Sequence, residues 1–183
     1  MAQSDEPIDS EVPEGYPGHL EGVVDLVDGA RVAIRPIVPA DIAEIERAYA
    51  GADAETLLHR FFTAAPHLGD KQIHYLAEVD YDRRLALVAF GDDGHGVGIA
   101  RYEGLTDPAR AEVAVVVHPD WRRLGLATEL LRRLEEPARH NGINEFIAVH
   151  LPSNRAVAAV FGDLGYGPPK FVDGLVRVEK PIG

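Results

Sequence analysis

The chain has no cysteine, one methionine and one tryptophan in its 183 residues. Without cysteine there is no disulfide, no thiolate metal site and no cysteine nucleophile. Lysine is scarce as well: Lys71, Lys170 and Lys180 are the only lysines among eighteen basic residues. Thirty acidic residues outnumber the basic ones, for a formal net charge of −12. That sign excludes the broad attraction on which general nucleic-acid binders depend. No apolar run approaches the roughly 20 residues that a membrane span needs. The opening stretch, MAQSDEPIDSEVPEGYPGHL, has neither the basic start nor the apolar core of a secretory signal. The expectation is a cytoplasmic protein with no membrane and no nucleic-acid partner. The eight histidines show no ligand spacing such as H-E-x-x-H, so no metal is expected.

What the chain does have is enough apolar content, 46%, for one domain with a core. Residues 1–20 are rich in Ser, Pro, Gly and acids and poor in large apolar groups, so they read as a flexible acidic tail. Residues 21–183 read as the domain. VVDLVDGARVAIRPI gives two short strands around Asp28-Gly29, a hairpin signal. Three helices follow, opened at Pro39-Ala40-Asp41, at Asp53 and at Gly69-Asp70. LALVAF (85–90), GVGIARYEGL (96–105) and AEVAVVV (111–117) read as strands. LGLATELLRRLEEPARHNG (124–142) reads as a helix stopped at Asn141-Gly142, with Pro137 expected to kink it or end it early. EFIAVHL is a strand, Ser153 or Asn154 caps a helix that stops at Gly165, and FVDGLVRVEK closes the chain as a strand or hairpin. Strands and helices in this order predict an α/β (α+β) fold, a mixed sheet flanked by helices.

The stretch WRRLGLATEL (121–130) raises the functional question. A strand ends at Val117, His118-Pro119-Asp120 turns, and a helix opens through Arg122, Arg123, Gly125 and Ala127. The first N–H groups of a helix have no intrahelical partner, and the macrodipole adds positive potential. Small residues let a bulky anion approach the backbone. A pyrophosphate suits such a turn. The stretch is neither a P-loop nor a dinucleotide G-x-G-x-x-G.

Arg122-Arg123-Leu124-Gly125-Leu126-Ala127 resembles the Q/R-x-x-G-x-G/A motif of the GNAT N-acetyltransferase superfamily. The preceding Val115, Val116, Val117, His118 and Pro119 match that family's strand end. Asn154 and Leu164-Gly165-Tyr166 match its later strand–Asn–helix segment. The resemblance runs over about residues 22–180. It implies a central mixed, mostly antiparallel sheet, splayed at the cofactor site, with helices on both faces. It implies acetyl-CoA as co-substrate: pyrophosphate on the amides of Arg123 to Thr128, through Leu124, Gly125, Leu126 and Ala127, with Arg122 beside them. The pantetheine arm would pair with Val115, Val116 and Val117. Asn154 would contact the pantetheine or a nearby water, or else it is a plain helix cap.

Transfer to an amine needs a proton acceptor, because a lysine has a pKa near 10.4. Strand alternation puts Glu112, Ala114 and Val116 on one face. By position alone, Glu112 is equally a base or a strand-end partner of Arg110 or another surface arginine. RVAIRPIVPADI, RFF (60–62), VDYDRRLALVAF, ARYEG and AEVAVVV resemble the Pat-type protein lysine acetyltransferases of actinobacteria. That resemblance implies Glu112 as general base, a protein lysine as acceptor and an acidic acceptor cleft that attracts it. Many such proteins also carry a ligand-sensing domain, of which these residues show no sign. Many family members place a tyrosine, the acid for the leaving thiolate, seven residues after the motif Asn; here Phe161 stands there. Tyr102 and Tyr166 are the candidate substitutes, against a plain packing role. His150 is the alternative base. His118 reads as a turn residue, Trp121 as packing beside the turn, and Arg60-Phe61-Phe62 as shaping the acceptor side. Two other readings stay open: a small amine or amino acid acceptor, and a CoA-binding regulatory module with little catalysis. Monomer and homodimer are both compatible with the sequence.

Overall fold

The computed structural model describes residues 12–61 and 69–183. Eight strands form one open sheet: β1 (Gly22–Asp25), β2 (Arg31–Pro36), β3 (Arg84–Phe90), β4 (Gly96–Gly104), β5 (Arg110–Val117), β6 (Glu145–His150), β7 (Lys170–Val172) and β8 (Leu175–Pro181). Their spatial order is β1-β2-β3-β4-β5-β6-β8-β7. All neighbours run antiparallel except β5 and β6, which are parallel. The helices are α1 (Ile42–Ala50), α2 (Ala54–Phe61), α3 (Asp70–Ala77), α4 (Leu126–His140) and α5 (Arg155–Asp163). This is the mixed α/β fold that the element order predicted.

Local chemistry explains most boundaries. The Asp28-Gly29 turn closes β1 onto β2, with Gly29 at φ 85° and Leu26 N–H donating to Ala30 O at 2.8 Å. Asp53 caps α2, its Oδ1 accepting from Thr56 N–H at 2.7 Å. The helix α4 runs through Pro137 instead of ending there. The proline removes one N–H bond near the last turn. That end is then closed by Gly142 at φ 79° and by Ile143 N–H donating to Ala138 O at 2.9 Å. The closing segment is a hairpin of β7 and β8. Of the residues read as tail, 1–11 lie outside the described residues. Tyr16 and Leu20 pack against the core, Tyr16 edge-on to Tyr81 with ring centroids 5.8 Å apart. Phe62, expected in α2, also lies outside the described residues.

Both sheet faces are covered. On one, Leu126, Leu130 and Leu134 of α4 are buried with Leu85, Leu87, Ala100, Tyr102 and Val113. On the other, α1 and α3 enclose Ile37, Ile45, Ile73, Leu76 and Val88. The seat of α4 depends on Gly98, where a Cβ would lie 3.0 Å from Leu126 Cδ2 and 3.3 Å from Leu130 Cδ1. Two charged contacts fix α1 to the sheet. Arg35 grips Asp41 bidentately at 2.6 and 2.8 Å, and Asp41 also accepts from Val38 N–H at 2.9 Å. Glu44 accepts from Gly96 N–H, at the start of β4, and from Arg47. The hydrogen bonds from Arg47 foremost hold the Glu44 carboxyl down to about 2 from its ordinary 4.5.

Two measurements check this packing. Gly98→Val forces a branched side chain into the β4–α4 contact and is expected to cost about 1–3 kcal/mol, read as a lower urea midpoint. An unchanged midpoint would mean that α4 is not seated there. Glu44, with its folded pKa lowered, favours the folded state above about 4.5 and loses that effect as pH falls toward about 2. Glu44→Gln is expected to flatten the stability-against-pH curve in that window, measured by urea unfolding at stepped pH.

Candidate active site

The site starts from an opening in the sheet. Along β5, pairing with β4 runs from Ala111↔Gly104 to Val117↔Gly98. Pairing with β6 stops at Val113↔Ala148, although both strands continue. Two bonds set the alternation of the β4–β5 ladder: Leu105 N–H to Arg110 O and His118 N–H to Val97 O, both 2.9 Å. Between them the antiparallel pattern gives hydrogen-bonded pairs at Glu112, Ala114 and Val116. The backbone groups of Val113, Val115 and Val117 therefore face β6. Beyond Val113 no strand meets them. Sequence reasoning grouped Val115, Val116 and Val117 at this slot; the ladder separates them. Val115 and Val117 present backbone there, while the backbone of Val116 bonds β4.

The turn after β5 lies beside this opening. Arg123 and Gly125 take positive φ, 62° and 87°, conformations costly for side-chain-bearing residues and free for glycine. As a result the N–H groups of Arg123, Leu124, Gly125, Leu126, Ala127 and Thr128 donate to no described protein group; the next, Glu129, bonds Gly125 O at 3.0 Å. Six successive free donors at the start of a 15-residue helix form a concave anion site. Arg123 is exposed and Leu126 is buried in the core below. Arg122 behaves differently from the expectation of a phosphate-facing arginine. Its Nη2 donates to Thr56 Oγ1 at 2.7 Å and its Nε to Val117 O at 3.2 Å. It ties the turn to α2 and to the end of β5.

On the α1–α2 face of the sheet lies a cleft of about 210 Å³, floored by β4 and β5 and walled by α1 and α2. Ladder register orders this face in rows: Ile99 opposite Val116 and Arg101 opposite Ala114 on the cleft floor, then Glu103 opposite Glu112 next along the same face, beside the cleft. Glu112 shares the face of Ala114 and Val116, as alternation predicted. It does not pair with Arg110, which bonds Glu145 at 2.5 Å and Glu179 at 3.3 Å. Glu112 keeps an exposed surface, yet the protein around its carboxyl raises its pKa. Glu103 opposite pushes the same way, while Arg60 and Arg177 oppose. The expected acidic cleft is not what the structure has: Arg60 and Arg101 line it too. Sequence reasoning missed Arg101, because an arginine in ARYEG carries no local mark of facing inward.

The sequence pattern of the acetyltransferase (GNAT) family matches residues 51–166. An acetyltransferase of Pseudomonas aeruginosa is 32% identical over 148 residues, 79% of each chain. The chain belongs to the GNAT family of acetyltransferases. The acetyltransferase Pat of Mycolicibacterium smegmatis is 30% identical over 78% of this chain but 43% of its own length, so the chain spans under half of that relative. Among solved structures, the GNAT domain of PAT from S. lividans superposes with a TM-score of 0.84 at 33% identity, covering 91% of this chain and 99% of that one. An acetyltransferase of Salmonella typhimurium, solved with its cofactor acetyl-CoA, shares the fold at TM-score 0.67 and 23% identity, over 83% of this chain and 94% of its own.

Around the opening of this GNAT domain, the remaining residues singled out from sequence resolve into roles. Asn154 caps α5, its Oδ1 accepting from Val157 N–H at 3.1 Å, while its amide nitrogen bonds no described group. Phe161 is buried between Tyr166 (ring centroids 4.8 Å) and His150 (6.2 Å). Tyr166 is packed there, and burial raises its pKa. Tyr102 lies on the α4 face, its hydroxyl donating to Asp82 O at 2.9 Å, remote from the cleft floor. His150 is buried with Nδ1 2.9 Å from Leu151 O. His118 caps its turn, Nδ1 accepting from Asp120 N–H at 3.3 Å. Trp121 packs beside the turn, as expected, its ring 3.1 Å from where a Cβ on Gly91 would lie.

The Arg122 link generates a direct test. Arg122→Ala is expected to cost about 1–3 kcal/mol, and Thr56→Ala less. Because the two share one bond, the double variant should cost less than the sum of the single ones. Additive losses in a double-mutant cycle would show that the 2.7 Å contact couples nothing.

Proposed function

We propose that this GNAT protein transfers the acetyl group of acetyl-CoA to a primary amine, a lysine side chain of a protein, with Glu112 as general base. The observation that carries the reading is the placement of Glu112 on the cleft face of the strand whose other edge is open. The open edge offers the backbone of Val115 and Val117, and the adjoining turn offers six donors from Arg123 to Thr128. These groups fit a pantetheine arm and a pyrophosphate: extended chain against extended chain, and anion against N–H groups at a helix start. The Salmonella protein of the same fold is solved with acetyl-CoA. The lysine acceptor is supported by the likeness to the S. lividans PAT domain.

In this reading the acceptor enters from the α1–α2 side as an ammonium, drawn by the paired carboxylates of Glu103 and Glu112. Glu112 takes one proton, directly or through a water, and frees the amine. Its raised pKa brings it nearer to the pH at which it must accept. The amine nitrogen attacks the thioester carbonyl carbon, the C–N bond forms and the C–S bond breaks, with no bond to the enzyme, and the nitrogen loses its second proton to water. Val117 N–H faces the opening and bears on the carbonyl oxygen as charge develops. The leaving sulfur has no acid partner at Phe161, and neither Tyr102 nor Tyr166 replaces one. A thiol of this kind has a pKa near 8.5, so it departs as thiolate beside the positive end of α4. Asn154, with its oxygen engaged as cap, has only its amide nitrogen to offer the donor arm. Arg122 acts on the turn rather than on the phosphate. Nothing in this chemistry asks for a metal, and the protein acts in the cytoplasm.

Glu112→Gln is expected to lower kcat by about 10²–10⁴-fold and to leave the Kd for acetyl-CoA unchanged. The base must be deprotonated, so activity rises with pH through its pKa. With that pKa raised, the limb lies above the usual carboxylate range, and Glu112→Gln should abolish it. Incubation with acetyl-CoA and a deacetylated host lysate, followed by mass spectrometry of acetyl-lysine, reads both points. Labelling that is equal in wild type and Glu112→Gln would overturn the base assignment.

A further inference from the structure

The cleft holds charge that the transfer reaction leaves unused. Arg101 is 8% exposed, and among the described residues its side chain bonds only Leu76 O, from Nη2 at 2.7 Å. Arg60 lines the same cleft from α2, its guanidinium 5.0 Å from the centre of the Phe61 ring. Among the described residues neither is in an ion pair, whereas Arg35, Arg47, Arg110, Arg133 and Arg177 all are. Glu103, opposite Glu112 on the same face, is held by the Tyr75 hydroxyl. Two guanidinium groups thus share a half-enclosed site, with Glu103 and Glu112 as acidic neighbours but no ion pair to either among the described residues. Burial, and then Arg60, bring the pKa of Arg101 down to about 10, which still leaves it a cation at neutral pH.

A buried cation with no ion-pair partner among the described residues is unfavourable, and it favours whatever anion can enter. The order of charge along this face says what that anion belongs to. Glu103 and Glu112 form one row and Arg101 lies in the next row on the same face. Rows on one face of a strand are two residues apart, roughly 7 Å. We infer that the acceptor carries a carboxylate, held by Arg101 and Arg60, one row away from the amine that faces Glu112. This deepens the acetyltransferase reading and rests on it. It names the acceptor as an amino-carboxylate: a free amino acid with its amine at the far end, or a lysine beside an acidic residue in a protein. An arginine fork suits this carboxylate in a way that a lysine would not.

The test uses matched ligands that differ only in that charge. Nα-acetyl-lysine is compared with its carboxamide, and a lysine peptide with aspartate beside the lysine is compared with the same peptide carrying asparagine. Affinity is measured by calorimetry in the presence of CoA, which does not depend on turnover. In at least one pair the carboxylate form is expected to bind about tenfold more tightly. Preference in the small pair identifies a free amino acid, and preference in the peptide pair alone identifies a protein acceptor. The preference should vanish in Arg60→Gln, which leaves the buried Arg101–Leu76 bond intact, and in Arg101→Gln. Equal affinity within both pairs in wild type overturns the inference, as does a preference that survives both substitutions. Either result leaves Glu112-dependent acetylation untouched, since that is read separately by turnover.

Discussion

Strand β5 is bonded to β4 along its length and to β6 along only half of it, and the site is built from that difference. A sheet interior normally satisfies both edges of each strand. Here the register ends at Val113↔Ala148, so the backbone of Val115 and Val117 lacks a strand partner. Groups of this kind call for a ligand or water. The opening is useful because of what lies on either side of it. Below, α4 begins with a turn whose N–H groups bond nothing in the described protein. Above, the same strand turns Ala114 and Val116 into the cleft, with Glu112 on the same face beside it.

The opening is held by contacts remote from it in sequence. Gly98 lets α4 sit close under β4, which fixes where the free N–H groups point. Arg122 ties the turn to Thr56 on α2, 66 residues earlier, and so joins the wall of the cleft to the anion turn. Glu44 joins α1 to the first residue of β4. These links place the donor side and the acceptor side on opposite flanks of one strand, so transfer between them needs only a short reach. Arg60 and Arg101, in no ion pair among the described residues, line the cleft on the α1–α2 face.

Much of this was legible in the sequence where chemistry is local. Asp28-Gly29 marked a hairpin, Asp53 and Asn154 marked caps, and Gly125 marked the turn, because each feature is decided by a few neighbouring atoms. The face of Glu112 followed from strand alternation. What local sequence does not show is long-range. Arg122 looked like a phosphate ligand, since nothing near it in sequence announces Thr56. Val116 was grouped with its neighbours, because only the β4 register shows which backbone groups remain open. Arg101 and Tyr102 alternate in a strand covered on both faces, so pattern alone could not say which one enters the cleft. Pro137 suggests a kink or an early end, yet the loss of one bond near a well-capped end is tolerated.

The account's central claim is that the open half of β5 and the turn after it form one donor-binding surface. The most direct measurement is an amide-resolved NMR titration of the protein with acetyl-CoA. The account predicts that the largest shifts fall on Arg123 to Thr128 and on Val115 and Val117, with Val116, bonded to β4, moving less. Saturable binding that leaves those amides unchanged and shifts another part of the molecule would contradict it.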